Sequence, residues 1–111
     1  MQRDDLALVE DMLMEISDAI EFVQGYDLRT FLEDRRTRKA VAYSIQIMGE
    51  AARGISLQFK ADHPEVAWPQ IVGMRHRIVH EYGAVNFRIV WAVVQEDLPR
   101  LQASLLNATE G

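Results

Sequence analysis

Apolar residues recur at three- and four-residue steps along almost the whole chain, which is the spacing of one face of an α-helix. Over 3–24 the apolar positions are Leu6, Val9, Met12, Leu13, Ile16, Ile20 and Val23, and acidic residues fill much of the remainder. This pattern predicts an amphipathic helix, with Gly25 placed to stop it. Thr30 and Glu33 stand at capping-box spacing. A second long helix is expected from about Asp34 to Lys60, because Val41, Ile45, Met48, Ala52, Ile55 and Phe59 alternate steps of four and three. Gly49 and Gly54 weaken that helix and would permit close helix contact, and His63-Pro64 breaks it. Trp68-Pro69 opens a third helix that should run to about Tyr82-Gly83. Asn86 can cap a fourth beginning at Phe87 and lined by Ile89, Val90, Val93, Val94, Leu98, Leu101 and Leu105. Pro99 must kink or break it, since its ring opposes the carbonyl of Gln95. No segment alternates with period two. The expected fold is all-α, a four- to five-helix up-and-down bundle.

Composition narrows the class further. A length of 111 residues predicts a single domain over 1–111. The absence of cysteine excludes disulfide scaffolds and thiolate zinc sites. No apolar run reaches membrane length, and Met1-Gln2-Arg3-Asp4-Asp5 lacks a signal-peptide core, so a soluble cytoplasmic protein is expected. So small a domain has a limited interior, which makes a homodimer a reasonable stabilising device.

The net charge of −5 argues against a general nucleic-acid coat, but the charge is uneven. Residues 1–34 carry two basic and ten acidic side chains, residues 35–60 six basic and one acidic, and residues 61–111 four basic and six acidic. The acidic and basic segments could pair, or could face different partners; a solvated helix face is the plainer account. Arg35, Arg36, Arg38 and Lys39 are candidates to guide RNA or dock a partner.

The chemistry concentrates at residues 75 to 82, Arg-His-Arg-Ile-Val-His-Glu-Tyr. On a regular helix with Ile78 facing the core, His76 and His80 fall roughly 160° and 200° away, on the outer face. Arg75 and Tyr82 flank the core stripe. Arg75 and His80 lie about 7.5 Å apart along such a helix and about 140° round it, too far for a tight pair. A second copy packed across a two-fold axis would complete a composite cleft. Arginine supplies a planar fork of donors for a phosphate, and histidine moves protons near neutral pH. Attack by a ribose 2′-hydroxyl requires neither metal nor cofactor, and selects RNA over DNA. Glu50 interrupts the apolar region of the second helix and would need a partner such as Arg75 or Arg53 if buried.

The spacing Arg-x4-His-x-Tyr, as Arg75, His80 and Tyr82, resembles the motif of the HepT toxins, a branch of the HEPN superfamily. The flanks are similar too: Phe31-Leu32-Glu33-Asp34-Arg35-Arg36-Thr37-Arg38-Lys39-Ala40-Val41, Ile47-Met48-Gly49-Glu50-Ala51-Ala52, Trp68-Pro69-Gln70-Ile71-Val72-Gly73-Met74-Arg75 and Asp97-Leu98-Pro99. The resemblance implies a dimeric helical bundle with metal-independent endoribonuclease activity, Arg75 and His80 being catalytic. It implies a toxin–antitoxin pair whose nucleotidyltransferase antitoxin, of the minimal (MNT) type, adenylylates Tyr82. That modification would put bulk and negative charge where substrate phosphate binds. His76 stands where the family usually has a small polar residue, so it either orients Arg75 or joins catalysis.

Other readings stay open. His76 and His80 could hold zinc with His63 and Glu81. Tyr82 could be a packing residue, and Trp91 and the methionines are most simply core. The whole domain could be a non-catalytic helical module that docks a nucleotidyltransferase.

Overall fold

The computed structural model describes residues 3–79 and 83–110. The chain folds as α1 (Arg3–Phe22), a short α2 (Leu28–Glu33), α3 (Arg35–Gly54), a short α4 (Leu57–Asp62), α5 (Trp68–Ile78), α6 (Phe87–Ala92), a π-helical turn (Val93–Asp97) and α7 (Leu98–Glu110). No strand occurs among the described residues, so the all-α expectation holds. The periodic stripes form one core: Val41, Ile45, Met48, Ala52, Ile55 and Phe59 are all buried, as are Val9, Met12, Ile16 and Val23. Leu6, placed on the α1 stripe, and Met14, read as core with the other methionines, are instead exposed.

The long helix expected to continue to Lys60 is two helices. Ile55 takes an extended conformation (φ −71°, ψ 139°) and Ser56 caps α4. The cause lies outside the segment. Asp5, buried at the start of α1, accepts from the Ser56 backbone N–H at 2.8 Å and from Ser56 Oγ at 2.7 Å. Ser56 Oγ in turn accepts from the Phe59 N–H at 3.1 Å. A buried carboxylate needs such donors, and they hold the start of α1 against the end of α3, so the two helices run antiparallel. Gly54 serves this contact, since a Cβ there would lie 3.1 Å from Leu8 Cδ1. Gly49 does not; a Cβ there would meet nothing within 4 Å.

The cap between the first helices also differs from expectation. The box is formed by Asp27 and Thr30, not by Thr30 and Glu33: the Thr30 N–H donates to Asp27 Oδ1 at 2.8 Å and the Asp27 N–H to Thr30 Oγ1 at 2.9 Å. Glu33 pairs instead with Arg29. Gly25 ends α1's overrun at φ +82°, a conformation glycine adopts without strain.

Asp34 caps α3. Its carboxylate accepts from Tyr26 Oη at 2.6 Å, the Thr37 N–H at 3.0 Å and Thr37 Oγ1 at 2.9 Å. These bonds favour the charged form, and they lower its pKa to about 2, with the Tyr26 hydroxyl the largest cause.

Pro99 neither breaks nor sharply ends the last helix. Helical structure continues from Phe87 to Glu110 through the π turn, where the Leu98 N–H donates to the Val93 carbonyl, five residues back. Proline offers no N–H to Gln95 and crowds its carbonyl; one extra residue in the preceding turn relieves both faults.

The third helix is shorter than expected. It stops at Ile78, Val79 is extended (φ −107°, ψ 122°), and Val79 pairs with Val85 in an isolated antiparallel bridge. The Asn86 N–H donates to the Ile78 carbonyl at 2.7 Å, and the Asn86 side chain caps α6 through the N–H groups of Arg88 and Ile89. The chain therefore leaves α5 and returns to α6 at one place.

Because the Asp34 pKa is depressed, its contribution to stability is present above the unfolded value near 3.8 and is lost as pH falls toward about 2. Tyr26→Phe removes the largest cause, so the Asp34 carboxyl should titrate closer to 3.8. Carboxyl-carbon NMR across the acid range measures this; an unmoved Asp34 midpoint would contradict the assignment.

Candidate functional site

Helix α5 docks by Ile71, Met74 and Ile78, each at most 4% exposed. Burying side chains of this kind stabilises by about 1.5–3 kcal/mol each, and it dictates where the intervening residues point. Arg75 and His76 follow Met74 directly and lie exposed on the last turn of α5. They line a groove of about 220 Å³ between α3 and α5, together with Gln46, Gly49, Glu50 and Arg53 and an apolar floor of Ile45, Ile71 and Met74. Arg75, His76 and Arg77 stand at the negative end of the α5 dipole, where cations are favoured.

Among the described residues, the side chains of Arg75 and His76 have neither an ion-pair nor a hydrogen-bond partner. A guanidinium that is exposed, unpaired and set in a concave surface is available to an anion. Glu50 does not tie Arg75 to α3. It is exposed, and its nearest cation is Arg53, at 3.9 Å. The partner expected for a buried Glu50 is therefore unnecessary, and Glu50 instead contributes negative charge beside Arg75 and His76. Gly49 leaves the groove open, for it carries no side chain where space for one exists.

His80, Glu81 and Tyr82 lie outside the described residues. The wheel that set His80 and Tyr82 on α5 needed a helix reaching Tyr82, and α5 ends at Ile78. Among the described residues no group of three or more His, Cys, Asp or Glu side chains could hold a metal ion. His63, one ligand of the weighed zinc arrangement, is engaged with Glu65 at 3.2 Å and packs on the Phe59 ring at 4.4 Å.

The four cations at the start of α3 separate into two kinds. The Arg38 guanidinium lies 4.8 Å from the centroid of the Phe87 ring, with Nε buried and unbonded. It straps the start of α3 to the start of α6. Arg35, Arg36 and Lys39 are exposed and have no ion pair among the described residues.

One interaction is not legible in the sequence pattern. Arg77 Nη1 donates to Asp97 Oδ2 at 2.6 Å, tying the last turn of α5 to the π turn. The available signal was Pro99, because an irregular turn ahead of a proline changes which face Asp97 occupies.

Comparison with known proteins identifies the family. The family model described as Ribonuclease HepT-like matches residues 12–107. "Putative RNase MJ1380" of Methanocaldococcus jannaschii is 34% identical over 101 residues, covering 91% of this chain and 93% of that one. "Probable ribonuclease HepT" of Thermococcus cleftensis is 36% identical over 97 residues, covering 84% and 88% respectively. No solved structure matches. The match spans α1 to α7 and includes the groove, so the chain belongs to the HepT-like family of the HEPN superfamily.

Proposed function

We propose that this protein is a metal-independent endoribonuclease, the toxin of a HEPN/MNT toxin–antitoxin pair. The observation that carries the reading is the exposed, unpaired Arg75 in the α3–α5 groove, on a chain that belongs to a family described as ribonucleases. Two protomers would meet so that Arg75 and His80 of each surround one phosphodiester. His80 takes the proton of a ribose 2′-hydroxyl while the 2′-oxygen attacks phosphorus. The bond from phosphorus to the 5′-oxygen breaks, and the histidine of the other protomer protonates that leaving oxygen. A 2′,3′-cyclic phosphate and a free 5′-hydroxyl result. Arg75 stabilises the charge that gathers on the phosphoryl oxygens. His76, beside Arg75, orients it or assists the proton transfers, and Glu50 balances the charge of the groove. A nucleotidyltransferase antitoxin would silence the site by placing AMP on Tyr82, whose added charge repels the substrate phosphate.

Arg75→Ala and His80→Ala should each lower cleavage of single-stranded RNA at least about a hundredfold with little change in melting temperature, and products should end in cyclic phosphate. RNA cleavage and growth inhibition that survive His80→Ala would instead favour a docking module without catalysis.

Co-expression with an active nucleotidyltransferase partner should raise the intact mass by one or more AMP groups, and Tyr82→Phe should abolish the increase. An unmodified mass with partner and ATP present would count against this form of silencing.

Gly49→Ala replaces a mid-helix glycine at a position with room for a methyl group. It should raise stability by about 0.5–1 kcal/mol and lower RNA cleavage, because the groove floor fills. Denaturant unfolding and cleavage rates measured together test this; greater stability with undiminished cleavage would mean that nothing enters the groove there.

A further inference from the structure

The outer face of α3 continues beyond the groove, and its residues make a track. With Arg38 at zero on the helix wheel, Arg35 and Arg53 fall near 60°, Gln46 near 80°, Lys39 near 100°, Glu50 near 120° and Tyr43 near 140°. These residues form one stripe from the first turn of α3 to the groove that holds Arg75 and His76. Its length, Arg35 to Arg53, is about 27 Å at the helical rise.

Three observations point to a polyanion with unstacked bases as the occupant. Arg35 and Lys39 are exposed and unpaired among the described residues. Both lie near the start of α3, where the Asp34 carboxylate offsets the helix dipole, and among the described residues no salt bridge uses either side chain. Tyr43 lies between them and the groove and is 64% exposed, an aromatic ring outside the hydrophobic core. A cationic run interleaved with an exposed aromatic is the arrangement that binds single strands, with phosphates on the cations and a base on the ring. The flanks are unequal. The α1 side holds a recess lined by Asp11 and Glu15, while the α5 side carries Arg75 and His76. A polyanion is therefore driven toward Arg75, and Glu50 is the lone acid on the stripe itself among the described residues.

We infer that a single-stranded RNA segment lies along α3, its phosphates held by Arg35 and Lys39 and one base stacked on Tyr43, and is thereby led into the Arg75 groove. This extends the ribonuclease reading and rests on it.

The test uses the full chain and a short fluorescein-labelled 2′-O-methyl single-stranded RNA, which lacks the attacking hydroxyl, with binding followed by anisotropy across a salt series. Tyr43→Ala should weaken binding about fivefold or more, and Tyr43→Phe should restore it. Arg35→Ala with Lys39→Ala should reduce the salt slope by about 0.7 for each phosphate that is no longer neutralised, with little change in melting temperature. Binding unaltered by these changes would overturn the inference. So would weakened binding accompanied by a change of molecular mass in light scattering, since the face would then join protomers. Cleavage of ordinary RNA by the parent chain reports separately: cleavage with an inert track leaves the ribonuclease reading intact, and neither cleavage nor binding removes both.

Discussion

The site depends on one packing constraint, the seating of α5 on α3 through Ile71, Met74 and Ile78. A helix that buries positions three and four apart must expose those between them. Because Met74 is buried, Arg75 and His76 have little choice but to face outward, and because α3 lies alongside, they face outward over a groove. These two groove side chains are thus positioned by the apolar side chains next to them. Arg77 adds a second restraint by gripping Asp97 on the π turn. Such a partly exposed pair contributes little to stability, but it joins the end of α5 to the helix run that carries Pro99.

The polar contacts share a logic. Those that cap sit at a helix end and satisfy backbone groups that the helix leaves open. Asp34 and Tyr26 do so for α3, Ser56 and Asp5 for α4, and Asn86 for α6. Arg38 on Phe87 belongs with them, for it fixes the first turn of α6 against α3. Four of these restraints surround the segment between Val79 and Val85: the bridge between those two residues, the Asn86 hydrogen bond to Ile78, the Arg77–Asp97 pair and the Arg38 strap. The described residues on either side of 80–82 are therefore held to the bundle.

Charge is distributed by role. Acidic side chains gather on α1, where Asp5 is structural and Asp11 and Glu15 border a recess. Basic side chains gather at the start of α3 and the end of α5. The second placement agrees with the helix dipole, and at the first the Asp34 carboxylate caps the helix. A chain of net charge −5 thus keeps local basic surface at the start of α3 and at the end of α5, which bears on how a polyanion would be oriented.

Periodicity alone made the bundle legible. Every apolar residue placed on the α3 stripe is buried, and the helix starts at Trp68-Pro69 and at Asn86 stand where expected. These features are local: a spacing of 3.6 residues, a side chain that caps, a ring that fits a first turn. The residue types at 75 to 82 likewise suggested a chemistry before any fold was known. What could not be read were features that depend on residues distant in the chain. Asp5, fifty-one positions from Ser56, helps to divide one expected helix into two. The pairing of Val79 with Val85 accompanies the end of α5 at Ile78, ahead of Tyr82. Arg38 became a strut and left Arg35 and Lys39 free because Phe87 arrived above it alone. Helical spacing is a property of neighbours along the chain and is written in their order. The partner of a polar group is chosen by which elements meet, and only the folded molecule decides that.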